Sequence, residues 1–312
     1  MKKTICVIGK GHSGTGFLAT ILDESGVYMG KKLNNDKDKF PYNNIYRIMS
    51  LPVGHIHGKK ANPWSGKVRE SRVLIKNART FVDKATNECP NVEWDFSKMI
   101  SWGIPKFVRK EMKDYLKDLD DHREYDAFTD KLVGWKMTES NLIYPWLVRL
   151  YPDWYYIHLV RDVRDMMARP ELTDTESHTN LFNVKDYKSY PNKFFVNEKT
   201  SRKRAPFNHL VQAINWKYQL DIVKSIQAPN YIRVTLEDLV MNQDEELKRL
   251  SEFLGFELKK IHAEEEVVES WKGRDGKVRE NWEEFSFLDD YMEELKYSDW
   301  PLFGDNKEYR RK

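Results

Sequence analysis

The chain has 312 residues, with 52 Lys and Arg against 49 Asp and Glu, 40% apolar residues and 13% aromatics. That apolar fraction can bury a core and excludes global disorder, while a formal charge of +3 is too small to mark a nucleic-acid binder. Two cysteines, Cys6 and Cys89, exclude a disulfide scaffold, and at a mean hydropathy of −0.73 no apolar run approaches the ~20 residues of a membrane span.

The first apolar run, Ile5 to Ile8, is short of the roughly 7–15 residues of a signal-peptide core. The chain therefore reads as soluble and cytoplasmic, with neither nucleic acid nor a membrane as partner. Residues 4–9 form a β-branched run ending in glycine, the pattern of a buried parallel strand. Gly9, Gly11, Gly14 and Gly16 then punctuate a loop. Phe17, Leu18, Ile21 and Leu22 repeat at helical spacing, and Gly26 stands where a helix stops. Residues 66–118 read as helical and heavily charged.

Residues 132–137 and 154–160 are strand candidates with a helix over 142–150 between them. Residues 170–206 show no clear period and read as a long surface excursion. An amphipathic helix follows over 207–226, with apolar residues at 207, 210, 211, 214, 218 and 222. A strand over 231–234 comes next, then a helix marked by Leu247, Leu250, Phe253 and Leu254 and closed by Gly255. The alternation predicts an α/β fold of three layers around a mainly parallel sheet. We expect a single domain over residues 1–312, with 31–131 and 170–206 as insertions.

Charge is unevenly spread. Residues 185–206 carry seven basic groups against two acids, and residues 264–294 carry twelve acids against four bases. A solvated face is the ordinary reading of such runs, and an acidic partner docking on the basic one is the functional reading.

The loop Gly9-Lys-Gly-His-Ser-Gly-Thr-Gly16 lies between strand and helix, where backbone N–H groups and the helix dipole favour a bound phosphate or sulfate. A tight turn that simply needs glycine is the alternative. Gly9 and Gly14 have the spacing of an NTPase loop, but Thr15 and Gly16 stand where Lys and Ser/Thr belong. Gly9, Gly11 and Gly14 also fit a dinucleotide pattern, without a clear second strand carrying an acid at the usual distance.

The run His12-Ser13-Gly14-Thr15-Gly16-Phe17 resembles the 5′-phosphosulfate loop of sulfotransferases, which use 3′-phosphoadenosine 5′-phosphosulfate (PAPS). Three further segments align in order. Residues 154–166 (WYYIHLVRDVRDM) are similar to the family's strand and helix start at the 3′-phosphate, with Arg161 at the strand end. Residues 232–239 (IRVTLEDL) with 250–255 (LSEFLG) resemble its Glu-Asp-Leu and Phe-Leu-Gly signature. Residues 271–276 (WKGRDG) resemble its late Lys-Gly loop.

This resemblance implies a P-loop-like nucleotide-binding core and transfer of a sulfuryl group from PAPS, with no metal required. Lys10, Gly11, His12, Ser13, Gly14, Thr15 and Gly16 would hold the phosphosulfate. Phe17 would lie near the adenine, with core packing as its equal alternative. Arg161 suits the 3′-phosphate through bidentate guanidinium bonding, against a surface salt bridge with Asp162 or Asp165. Lys272, Gly273 and Arg274 would complete that pocket, or form a basic surface turn. Arg169 stands where many relatives have serine. His12 replaces the usual Lys or Arg at the leaving group, so either its own pKa rises or Lys10 or Lys136 supplies the charge.

The resemblance puts the general base at Glu139, where the family's cytosolic branch has histidine; its alternative is a first-turn acid on the following helix. His55 and His57 are rivals for that role. Their His-x-His spacing also evokes a metal site, but no third ligand motif is near. The resemblance implies a hydroxyl or amine acceptor, with acidic compounds and carbohydrate among the candidates and residues 31–131 and 170–206 as insertions on the acceptor side. A nucleotide-dependent kinase and an inactive polyanion-binding protein are the rival functions.

Overall fold

Five consecutive buried residues, Thr4–Ile8, form β1 at the centre of the sheet, apolar on both faces because both are covered. The computed structural model describes residues 3–30, 132–136, 140–167, 205–263 and 282–297. The helix α1, Thr15–Glu24, follows the glycine-rich loop. It ends in a Schellman turn: Gly26 takes φ 90°, its N–H bonds the Asp23 carbonyl, and the Val27 N–H bonds the Leu22 carbonyl, both at 3.0 Å.

The chain then meets the strand that will return to it. The Tyr28 N–H bonds the Leu132 carbonyl at 2.9 Å, and the Gly134 N–H bonds the Tyr28 carbonyl at 2.8 Å. Strand β2 is Val133–Lys136, followed by a 3₁₀ turn, Ser140–Ile143, and helix α2, Tyr144–Leu150. Next come β3, Tyr155–Val160, and the short α3, Val163–Met167. Helix α4, Ala205–Lys224, leads to β4, Tyr231–Thr235. Helices α5, Leu236–Met241, and α6, Gln243–Leu254, follow. A 3₁₀ segment, Trp282–Leu288, and α7, Asp289–Glu294, complete the described residues.

All four strands are parallel, in the order β2-β1-β3-β4. The chain steps from β1 outward to β2, then back across β1 to β3. Such a reversal opens a crevice at the carboxyl ends of the two strands where it occurs, here β1 and β3.

One face of the sheet presents Ile5, Val7, Ile157, Leu159 and Val234 to Leu18, Ile21 and Leu22 of α1 and to Leu247, Leu250 and Leu254 of α6. Each such side chain, fully buried, contributes roughly 1.5–3 kcal/mol. On the opposite face Tyr144 of α2 meets Tyr156 edge-on, ring centroids 5.3 Å apart. Burial there pushes the Cys6 thiol far up, leaving it un-ionised and inert.

The expected parallel α/β architecture is present, with its strands and helices within a few residues of the sequence reading. Two details differ. Ala205 and Pro206, read as the end of an excursion, already open α4. Of the apolar stripe expected on that helix, only Ile222 has a described side chain. The buried apolar positions found, Ala213, Trp216, Leu220 and Val223, lie at the same helical spacing. The helical reading of 66–118, the insertion 31–131 and most of 170–206 lie outside the described residues. Among the described residues, no helix is long and apolar enough to cross a membrane.

Gly9 is tied to the sheet by sterics. A Cβ there would lie 2.6 Å from the Leu159 carbonyl oxygen and 2.8 Å from Thr15 Cγ2. Because the obstacle is backbone, Gly9→Ala should cost about 1–3 kcal/mol, read as a lower midpoint in chemical denaturation. An unchanged midpoint would contradict this packing.

Candidate functional site

Beyond Ile8 the chain leaves β1 and turns back on itself. The Ser13 N–H bonds the Lys10 carbonyl at 3.1 Å. Two residues in this turn take left-handed backbone angles, His12 at φ 68° and Gly14 at φ 86°. Gly14 is the N-cap of α1, and a Cβ on it would meet Leu236 Cδ1 at 2.5 Å. No side chain caps this helix end, and its first turn carries no acid. The positive end of α1 thus carries no carboxylate of its own first turn or cap, the condition under which a helix start attracts an anion.

Arg161 stands at the end of β3, directly beside the loop. Its side chain is 2% exposed and donates from Nη1 to the His12 carbonyl at 3.1 Å. Nη2 lies 3.4 Å from Asp165 Oδ2, and the Arg161 carbonyl accepts the Trp216 indole N–H at 2.9 Å. The ion pair with Asp165 expected as the alternative is therefore present, but buried instead of at the surface. Asp162 takes another partner. Its carboxylate receives Arg164 Nε and Nη2, the latter at 2.6 Å.

Glu237, at the start of α5, closes this cluster. It accepts the Asp162 N–H at 2.9 Å through Oε1 and the Tyr297 hydroxyl at 3.1 Å through Oε2. Burial pushes the Glu237 carboxyl up to about 7 and also raises Asp162, where Arg164 opposes the rise.

Of the residues singled out from sequence, Lys10, Gly11, His12, Ser13, Gly14, Thr15, Gly16 and Phe17 line the β1–α1 connection, and Arg161 adjoins it. Lys10 and Ser13 are buried, and the Ser13 hydroxyl lies 3.8 Å from the Met166 sulfur. Phe17 is half-buried against the α1–α6 core. Lys136, 1% exposed, ends β2 and pairs in register with Val7. After β2, the Trp135 indole donates to Ser140 Oγ at 3.3 Å, and Asn141 Nδ2 donates to Gln219 at 2.5 Å. Glu139 itself, His55, His57, Arg169, Lys272, Gly273 and Arg274 lie outside the described residues.

Sequence reasoning assigned no role to Trp216, Glu237 or Tyr297. For Glu237 a signal existed, since it opens the matched Glu-Asp-Leu run. Trp216 and Tyr297 offered none, because their partners lie far away in sequence.

A parallel sheet whose order reverses beside a glycine-rich helix start defines an α/β protein with a crevice at the carboxyl ends of β1 and β3, the geometry that suits an anionic ligand. The sulfotransferase family matches the chain over residues 4–260, and the chain belongs to that family. Membership makes it a transferase of the sulfotransfer class. Among solved structures, the sulfotransferase domain from the curacin biosynthetic pathway is 12% identical, with a TM-score of 0.47 over 95% of this chain and 98% of that one. Sulfotransferase STF9 from Mycobacterium avium is 11% identical, with a TM-score of 0.34 over 90% of this chain and 68% of that one. No curated protein matches the chain.

The Glu237 carboxyl gives this cluster a pH signature. Folding raises its pKa from an ordinary 4.5 to about 7, so between those values the folded chain holds a proton that the unfolded chain has released. Its contribution to stability is therefore greatest below pH 4.5 and falls as pH rises through the folded value. Glu237→Gln should flatten the fall in unfolding free energy between pH 5 and 7 relative to the parent. An equally steep profile in the variant would assign the titration elsewhere.

Proposed function

We propose that the chain transfers a sulfuryl group from PAPS to a hydroxyl- or amine-bearing acceptor, with carbohydrate as the acceptor class to try first. One observation carries this reading: the uncapped start of α1, reached through left-handed His12 and Gly14, lies beside Arg161 at the sheet's reversal. The residues suit a donor with two anionic ends. The loop offers backbone N–H groups and the Ser13 and Thr15 hydroxyls to a phosphosulfate, and Arg161 offers a guanidinium to a 3′-phosphate.

The chemistry is an in-line displacement at sulfur. The acceptor oxygen or nitrogen forms a bond to sulfur as the bond from sulfur to the 5′-phosphate oxygen breaks. The acceptor proton passes to a base, for which Glu139 is our first choice and His55 and His57 the alternatives. Negative charge grows on the leaving phosphate, and 3′,5′-adenosine bisphosphate departs. His12, Lys10 and Lys136 are the groups available to stabilise that charge. Arg169, Lys272, Gly273 and Arg274 would add to the 3′-phosphate pocket.

In a thermal-shift assay, 3′,5′-adenosine bisphosphate without metal should raise the melting temperature, while ATP with magnesium should not. The reverse pattern would replace sulfotransfer with a kinase reading. Arg161→Ala should weaken bisphosphate binding by roughly 10- to 100-fold, the worth of one charge-assisted hydrogen bond, in a titration on protein checked for folding by circular dichroism. Unchanged affinity would remove Arg161 from the pocket. Glu139→Gln should lower turnover by about 10²–10⁴ with bisphosphate affinity nearly intact. Full turnover in that variant would move the base to His55 or His57.

A further inference from the structure

On the sheet face away from the α1–α6 core, β3, β4 and the second half of α4 surround a cavity of about 180 Å³. Its floor is polar and uncharged. His158 Nδ1 and the Tyr231 hydroxyl share a hydrogen bond at 2.9 Å. Burial, with Arg233 nearby, pushes His158 down to about 3, and burial pushes Tyr231 up, so neither carries charge near neutrality. The walls are Tyr144, Leu220 and Val223.

The mouth is charged, and it already grips a carboxylate. Glu294 of α7 receives Lys224 Nζ at 2.7 Å and Arg233 Nη1 at 2.6 Å. Two cations against one acid leave the rim with a positive balance. Lys224, with 62% of its side chain exposed, and Arg233, with 33%, are within reach of solvent.

Size restricts what enters. A cavity of about 150 Å³ holds one benzene ring, so this one takes a single ring and not two. Its lining separates it from the donor loop: His158 pairs in register with Ile8, the last residue of β1, and no lining residue comes from residues 9–17. We propose that this cavity binds a small monocyclic aromatic carboxylate, its ring against Tyr144, Leu220 and Val223 and its carboxylate at the rim beside Lys224 and Arg233. The site stands independently of the sulfuryl-transfer reading, because no residue in it belongs to the donor loop.

Benzoate is the probe, titrated calorimetrically into the full chain, with benzyl alcohol as the uncharged ring of similar size. Benzoate should bind at one site about tenfold tighter than the alcohol. Both Arg233→Gln and Lys224→Gln should abolish that preference while the far-ultraviolet circular dichroism stays unchanged. Lys224 is largely exposed, so its variant keeps the test sound if the Arg233 variant folds poorly. Absence of saturable benzoate binding, equal binding of the alcohol, or a preference that survives both substitutions would overturn the proposal. Repeating the titration with 3′,5′-adenosine bisphosphate present should leave benzoate affinity unchanged. Loss of binding there would place the anion in the loop at residues 9–14 and overturn the separate site.

Discussion

One hydrogen bond ties the two sides of the crevice together: Arg161 Nη1 to the carbonyl of His12. His12 is not glycine, yet it takes φ 68°, a region that costs an L-residue roughly 1–2 kcal/mol. The loop needs that angle to reverse direction between β1 and α1. By binding the carbonyl, Arg161 fixes the peptide that follows His12 and so sets the path into Ser13 and Gly14. The brace works only because β1 and β3 are neighbours in register, Ile8 opposite His158, which puts the ends of both strands at one level. Parallel pairing, loop conformation and placement of the guanidinium are one arrangement described at three scales.

Charge is concentrated behind the loop. Arg161 with Asp165 and Arg164 with Asp162 are both buried, and Glu237 adds a third carboxylate through the Asp162 N–H. Burying ions costs several kcal/mol each, and pairing them repays this only with good geometry. Arg164 meets Asp162 through two nitrogens, whereas Arg161 reaches Asp165 at 3.4 Å. The second pair is the looser one, and it belongs to the arginine that also serves the loop. The turn after β3 therefore combines an arginine clamped on one carboxylate with one shared between a carboxylate and the loop.

Much of this was legible in the sequence. Continuous apolar runs identified β1 and β3, because strands buried on both faces leave no alternation to misread. Helical spacing identified α1 and α6, and Gly26 and Gly255 marked their ends because left-handed caps favour glycine. Strand order was not legible, since a reversal between β2 and β3 leaves no trace in either segment. The Glu237–Asp162 contact was invisible for a related reason. It joins residues 75 positions apart, and each belongs to a short motif that reads as self-sufficient. Arg161 was found by its place at a strand end, but its bond to a main-chain carbonyl follows from tertiary packing alone.

The joining of Tyr28 to Leu132 and Gly134 has a consequence for how such a chain can change. Tyr28 on one side of residues 31–131 and Leu132 and Gly134 on the other are hydrogen-bonded to one another, so the two flanks of that stretch are stitched together by the core itself. Because the entropic cost of a closed loop grows only slowly with its length, about 0.6 kcal/mol per doubling, the sheet is nearly indifferent to what is strung between those points. The segment is in effect a cassette, free to be lengthened, shortened or exchanged while the β1–α1 loop and Arg161 keep their places. Diversification of the sequence between those points can then proceed without undoing the junction that joins Tyr28 to β2.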